Sequence, residues 1–392
     1  MRSSEHVALG PRDLVAVAMP PGPGWFDIVA ETWGAGAAIL PVDHRLPPAE
    51  AASILERARP TVILEPGGVR RIDGEPAEEG IALVVHTSGT AGSPKLVQFD
   101  RSAIDAAVAS SALALEATPN DPWLCCLPLA HVGGLLVLMR GVLLGASVTV
   151  HPGFDPAALA AERGAVFTSI VPTMLARLLD AEVDLTGFRA ILVGGAHLPP
   201  DLRERSERAG GRVIETYGLT ESCGGVVYDG LPLPGVQMRI DQDGGIQLKG
   251  PTLMRGYRFD PDATAAAFTQ DGWLRPGDAG EIDREGRLHV VGRIDDLINT
   301  GGEKVWPHEV EAALHDNLQV AEVAAGGRLD PEWGQRVVVW VVPTDAADPP
   351  TLDGLRDFAA TTIARHKLPR ELVLVTELPK TFGGKVRRAA LA

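Results

Sequence analysis

His86-Thr-Ser-Gly-Thr-Ala-Gly-Ser-Pro-Lys95 stands between an apolar run, residues 81–85, and a segment whose pattern predicts a helix from about Ser102. An apolar strand, a turn of glycines and hydroxyls and then a helix form a repeating piece of an α/β fold. The turn itself has a chemistry. Glycines let backbone N–H groups approach anion oxygens, the hydroxyls of Thr87, Ser88, Thr90 and Ser93 add donors, and Lys95 supplies positive charge, so the loop reads as a polyphosphate cradle. It is not the Walker A pattern, because Leu96 follows Lys95 and the glycines are spaced differently. Taken alone, such a loop is as compatible with a surface linker.

Outward from the loop the α/β texture continues on both sides. Apolar runs at 14–19, 37–42 and 61–64 alternate with helical patterns at 25–33 and 48–58, which is βαβαβ. The first turn, Pro20-Pro-Gly-Pro-Gly24, lacks the third glycine of a dinucleotide fingerprint, so this unit is expected to scaffold rather than bind NAD. Strands are expected again at 81–85, 123–127, 146–150, 166–171, 190–193 and 212–216, giving two related α/β layers. From 226 to about 291 short strands separated by Asp/Gly turns predict a small β subdomain. After Asp296, a helix from Pro307, two strands, a helix over 352–363 and a strand over 371–375 predict an α+β domain. The expected organisation is an N-terminal domain, 1–294, and a C-terminal domain, 295–392.

Composition narrows the partners. A chain of 392 residues exceeds a single core, and 45% hydrophobic with 22% charged residues is the balance of a folded globular protein. The formal charge of -15 and pI near 5.1 argue against nucleic acid or an anionic membrane, so an anionic substrate needs local positive charge. Cys125, Cys126 and Cys223 form no Cys-x-x-Cys pair and read as core thiols of a reducing compartment. Met1-Arg-Ser-Ser-Glu-His6 has no signal-peptide pattern, so the expectation is cytoplasmic. The apolar stretch 132–150 is interrupted by Arg140 and four glycines and reads as a buried helix running into a strand, not a membrane span.

Further segments carry reactive groups. Glu215-Thr-Tyr-Gly-Leu-Thr-Glu221 gathers a ring that can stack on a purine and a carboxylate that can hold Mg²⁺; its bland reading is a strand-end turn. Trp273-Leu-Arg-Pro-Gly-Asp278 and Gly292-Arg293-Ile-Asp-Asp296 place a carboxylate and a guanidinium after turns, suited to ribose hydroxyls or to a surface ion pair. Near the C-terminus, Pro379-Lys-Thr-Phe-Gly-Gly-Lys385 presents a lysine behind glycines.

In this order, the loop with Lys95, Leu127-Pro-Leu-Ala-His131, Gly194-Gly-Ala196 with Tyr217-Gly-Leu-Thr-Glu221, Gly277-Asp278 with Gly292-Arg293, and Gly384-Lys385 resemble the adenylate-forming superfamily of acyl-CoA synthetases, peptide-synthetase adenylation domains and luciferases. The resemblance spans nearly the whole chain. It implies a two-step acid–thiol ligase using ATP, Mg²⁺ and coenzyme A, in which a carboxylate becomes an acyl-adenylate and then a thioester. Thr87, Ser88, Gly89, Thr90, Gly92 and Lys95 would hold the β and γ phosphates. Glu221 would coordinate Mg²⁺, and Thr220 would touch the α-phosphate. Gly194, Gly195, Ala196 and Tyr217 with Gly218 would flank adenine, while Asp278 and Arg293 would fix the ribose. Lys385 would bridge the carboxylate and α-phosphate oxygens.

The same resemblance implies a mobile C-terminal domain that turns about Asp295 and presents the hairpin Thr300-Gly301-Gly302-Glu303 to the pantetheine arm. His131, which taken alone is as compatible with a structural histidine, would border the acyl and thiol tunnels. His151, His197 and His308 receive no role, and Trp306 and Trp333 are expected to pack the domain. Only about 85 residues precede the loop, and compact members resemble o-succinylbenzoate:CoA ligases of menaquinone synthesis. The sequence points to no pocket arginine for that acid's second carboxylate. Another aryl or short acyl acid, a carrier-protein pantetheine as acceptor, and a non-catalytic nucleotide binder are the alternatives; a homo-oligomer is compatible with all of them.

Overall fold

A computed structural model describes residues 7–87, 95–162, 164, 166–380 and 386–391. The chain divides into two compact units, residues 1–238 with 248–276 and residues 239–247 with 277–392.

In the first unit the expected alternation appears as β1 (Leu14–Val17), a helix Gly24–Gly34, β2 (Ala38–Pro41), a helix Pro48–Ala58 and β3 (Val62–Glu65). Proline at the start of the second helix suits a position with no N–H to satisfy, and left-handed Arg59 closes its end. With β4 (Gly68–Arg71), β5 (Ile81–His86), β6 (Leu96–Asp100) and the strand Gly256–Tyr257, these form a seven-stranded sheet in the order Gly256–Tyr257, β6, β5, β2, β1, β3, β4. Its centre, β5-β2-β1-β3, is parallel, and fully buried apolar strands are what two covered faces require.

β6 was not expected. The glycine-rich loop joins two antiparallel strands rather than a strand and a helix, and the following helix is Arg101–Leu115. A hairpin is read from a tight turn, and this connection is too long to give that signal.

A second seven-stranded sheet holds β7 (Trp123–Cys125), β8 (Val148–Val150), β9 (Phe167–Ile170), β10 (Ala190–Gly194), β11 (Val213–Leu219), β12 (Gly224–Tyr228) and β13 (Leu231–Pro232), in the order β13-β12-β11-β10-β9-β7-β8. Residues 226–232, placed by the sequence in the β subdomain, extend this sheet instead. The apolar stretch is the helix Val132–Leu144, ended by left-handed Gly145 and followed by β8. Arg140 is buried at 3% exposure, its guanidinium 4.2 Å above the Trp123 ring and bonded to the Ser111 hydroxyl. Among the described residues no helix is long and apolar enough to cross a membrane. All three cysteines are buried, and burial pushes the thiols of Cys125 and Cys223 to about 12 and that of Cys126 to about 11.

The second unit contains a ribbon, Asp278–Ile282 with Leu288–Arg293, and a five-stranded sheet of Glu303–Val305, Ile298–Thr300, Gly334–Pro343, Val320–Asp330 and Glu371–Leu374. Helices Pro307–His315 and Leu352–Ala359 pack on it through Val310, Leu314 and Leu355 against Val337, Val339 and Val341.

Candidate active site

The groups expected to handle the nucleotide in the first unit sit at strand ends. β10 and β11 run parallel, pairing Gly194 with Thr216, so Gly194, Gly195 and Ala196 leave one strand beside Tyr217 and Gly218 of the next. Ligands of open α/β sheets bind outside such carboxyl ends. Gly218 lies where β11 presses on β12, and a Cβ there would overlap the Gly224 carbonyl. The turn Thr220–Ser222 follows at once, closed by left-handed Cys223, with the Cys223 N–H donating to the Thr220 carbonyl at 2.9 Å.

That turn carries Glu221. Its Oε1 accepts a hydrogen bond from the Tyr257 hydroxyl at 2.8 Å. The ring of Tyr257 receives Lys95, whose Nζ lies 4.5 Å from the centroid, a cation–π distance. Thr87 and Lys95 close the mouth of the loop: the Thr87 N–H donates to the Lys95 carbonyl at 2.9 Å, and the Lys95 N–H to the Thr87 hydroxyl at 3.3 Å. Ser88, Gly89, Thr90 and Gly92 lie outside the described residues. Lys95 and Tyr257 also line a recess with Arg57, Arg258 and Asp260, the local positive charge that an acidic chain needs for an anion.

Among the described residues no three His, Cys, Asp or Glu side chains cluster as a metal cage. Glu221 is thus a single carboxylate donor, which fits Mg²⁺: that ion takes one or two protein carboxylates and completes its octahedron with phosphate oxygens and water.

His131 precedes the helix Val132–Leu144. Gly134, where a Cβ would overlap the Leu127 and Pro128 carbonyls, lets that helix start hard against the preceding segment. The His131 ring lies 6.1 Å from that of His86, tilted by 54°. His86 is 8% exposed, and its Nε2 finds no hydrogen-bond partner among the described residues. Burial first, then the neighbouring His131, pushes the His86 pKa down to about 4. His131 is reached by solvent yet walled on most sides; the enclosure depresses its pKa, with Arg45 reinforcing and Asp43 opposing. Asp43 is itself clamped by Arg45, Nε to Oδ1 at 2.9 Å and Nη2 to Oδ2 at 2.7 Å. Both rings are therefore neutral near pH 7.

In the second unit Asp278 and Arg293 are cross-strand partners, Nη1 donating to Oδ1 at 3.2 Å. Asp295 is exposed in the short turn Ile294–Asp296. Gly301 and Gly302, both with positive φ (62° and 86°), form the two-residue turn between Ile298–Thr300 and Glu303–Val305. Trp333 covers Gly301 and Trp306 covers Gly292, so both tryptophans pack within this unit. Lys385 lies outside the described residues; Lys380 and Val386 flank its segment as an antiparallel bridge.

Sequence reasoning missed Tyr257, Asp43, Arg45 and the pairing of His86 with His131. One signal for Tyr257 was present: the chain has only three tyrosines, and two of them, Tyr217 and Tyr257, lie in or beside these groups.

Known proteins resemble the chain in sequence and in fold. Residues 66–258 match the family described as AMP-binding enzyme, and residues 309–385 match the AMP-binding enzyme C-terminal domain. A "Probable 2-succinylbenzoate--CoA ligase" of Mycobacterium tuberculosis (strain CDC 1551 / Oshkosh) is 40% identical over 333 residues, 81% of this chain and 85% of the relative. The chain belongs to the AMP-binding enzyme family. Among solved structures, this AMP-binding enzyme is similar to o-succinylbenzoate CoA synthetase (MenE) of Bacillus subtilis in complex with the acyl-adenylate OSB-AMP. The TM-score is 0.88 at 29% identity, covering 98% of this chain and 88% of that one. The same Bacillus protein in complex with ATP and magnesium ion gives 0.87 at 28%, over 98% and 90%.

Proposed function

We propose that this chain is an ATP-dependent, AMP-forming acid:CoA ligase whose acid is o-succinylbenzoate. The observation that carries the reading is the phosphate-side arrangement. A cation at the mouth of the glycine loop and a carboxylate at a strand end are held by one tyrosine, through its ring and its hydroxyl, in a chain 40% identical to a protein named for that reaction.

A carboxylate is a poor acyl electrophile until one oxygen is joined to a good leaving group. In the first step the acid's oxygen attacks the α-phosphorus of ATP, the bond to the β-phosphate oxygen breaks, and pyrophosphate departs. Thr87 to Lys95 grip the β and γ phosphates, Thr220 contacts the α-phosphate, and Gly194 to Ala196 with Tyr217 and Gly218 flank the adenine. Asp278 and Arg293 hold the ribose. Bound Mg²⁺, which Glu221 would hold, neutralises polyphosphate charge. Lys385 follows the negative charge as it moves between carboxylate and phosphate oxygens, an electrostatic contribution on the order of 3 kcal/mol. In the second step a thiol sulfur attacks the acyl carbon, its proton is lost and AMP leaves. Neutral His131 borders that path.

A domain boundary at 294/295, rotation about Asp295, presentation of Gly301 and Gly302 to the pantetheine arm, coenzyme A as acceptor, a place in menaquinone synthesis, a cytoplasmic location and a homo-oligomer belong to the same proposal. The test is pyrophosphate release over a panel of acids, with and without coenzyme A and with products weighed by mass spectrometry. Selective formation of the o-succinylbenzoate thioester is expected. Turnover of a different acid keeps the chemistry and removes the substrate, and adenylate that persists despite coenzyme A removes the acceptor.

A further inference from the structure

Tyr257 contacts both charged groups on the phosphate side. It lies in the strand Gly256–Tyr257, which pairs antiparallel with β6 so that Tyr257 faces Val97. Lys95 is two residues before Val97 and is therefore the diagonal neighbour on the same face, within reach of an aromatic ring. Main-chain bonds secure both flanks. The Met254 N–H donates to the Glu221 carbonyl and the Arg258 N–H to the Leu96 carbonyl, each at 2.8 Å, while the Tyr257 N–H donates to the Thr264 hydroxyl at 2.8 Å. At 8% exposure the ring is locked in place.

We propose that Tyr257 is a positioning residue for nucleotide activation: its hydroxyl fixes the Glu221 carboxylate for Mg²⁺, and its ring holds the Lys95 ammonium for the phosphates. This rests on the ligase reading above. The β and γ phosphates need the cation, and the metal needs a carboxylate oxygen. The ring holds the exposed Lys95 ammonium electrostatically while leaving its charge available to an anion. The phenol donates to one carboxylate oxygen, Oε1, which leaves Oε2 as a ligand whose direction is set. Mg²⁺ tolerates little departure from octahedral geometry, so a fixed carboxylate matters more for it than for a permissive ion.

Tyr257→Phe keeps the ring and its contact with Lys95 but deletes the hydroxyl; Tyr257→Leu deletes both. In the full-length chain, Mn²⁺ binding is read by electron paramagnetic resonance in the presence of α,β-methylene-ATP, and KM and kcat are read from pyrophosphate release. Tyr257→Phe should weaken Mn²⁺ binding about ten-fold, the loss of a hydrogen bond to a charged group, with the KM of the acid within about two-fold of native. Tyr257→Leu should add a rise of about five-fold in the KM of ATP. A Mn²⁺ dissociation constant within about two-fold of native in a folded Tyr257→Phe protein overturns the proposal. The Mn²⁺ titration needs no turnover, so it judges Tyr257 whether or not an acid is activated, while absent pyrophosphate release from the native chain counts against the ligase reading.

Discussion

Removing the imidazole of His86 should remove a pH dependence of stability that the native chain carries between pH 6.5 and 4. His86 ends β5, immediately before the glycine-rich loop, and burial with the facing His131 ring moves its pKa from 6.5 to about 4. The folded state thus holds a neutral ring where the unfolded chain would take a proton. Above pH 6.5 both states are neutral and the stability is fully present. As pH falls through 6.5 the unfolded state binds a proton that the folded state refuses, and stability declines until the folded ring also titrates near 4. At about 1.36 kcal/mol per pH unit, the full interval amounts to about 3 kcal/mol. Guanidinium unfolding of native and His86→Gln proteins at about pH 7.5 and about pH 4.5 measures it. His86→Gln also changes packing, so the informative quantity is how the difference between the two proteins changes with pH. The native protein should lose about 2 to 3 kcal/mol more than the variant over that range. Equal losses would show that the ring titrates normally and that the floor beside the loop is wet.

Other consequences are equally open to measurement. Lys385→Ala should abolish pyrophosphate release while leaving thioester formation from supplied acyl-AMP largely intact; equal loss of both half-reactions would refute separate roles for the C-terminal domain in the two steps. Gly218→Ala drives a methyl into the Gly224 carbonyl, so β11 and β12 must part. A loss of about 1–3 kcal/mol in stability is expected, together with a raised KM for ATP, both read from thermal melts and initial rates. The three cysteines, buried and with thiol pKa values of about 11 to 12, should resist a thiol-specific disulfide reagent in the native protein and react fully in denaturant. Rapid labelling of a native thiol would contradict the packing of β7 or of the Cys223 turn.

What the sequence discloses and what it hides follow from the range of the interactions. The βαβαβ opening, the helix from Pro307 and the run from Val132 into β8 are local patterns with proline and glycine punctuation, and each was legible within a residue or two. The hairpin at Gly301 and Gly302 was expected from the family resemblance, and these two glycines form its turn. β6 was not, because its partner β5 lies across a loop whose length hides the pairing. Tyr257 was out of reach by a wider margin: it reaches Lys95 and Glu221 only because a two-residue strand joins a sheet edge some 160 residues from the β6 segment it pairs with.

The leucine after Lys95 shows how one residue serves both the fold and the site. In the sequence Leu96 is a departure only from the Walker A pattern. In the fold Leu96 pairs with His86, is 4% exposed and packs into the core with Leu14, Val84 and Ile81. Burying that side chain stabilises the unit by about 2 kcal/mol. It also anchors the start of β6, and so the Lys95 backbone, beside His86 and Thr87. A glycine at this position would leave the loop's exit with no apolar anchor and a freer backbone. The departure thus trades freedom of the lysine's main chain for a fixed point from which its side chain reaches the Tyr257 ring, and a cation held at 4.5 Å from that ring needs a fixed origin.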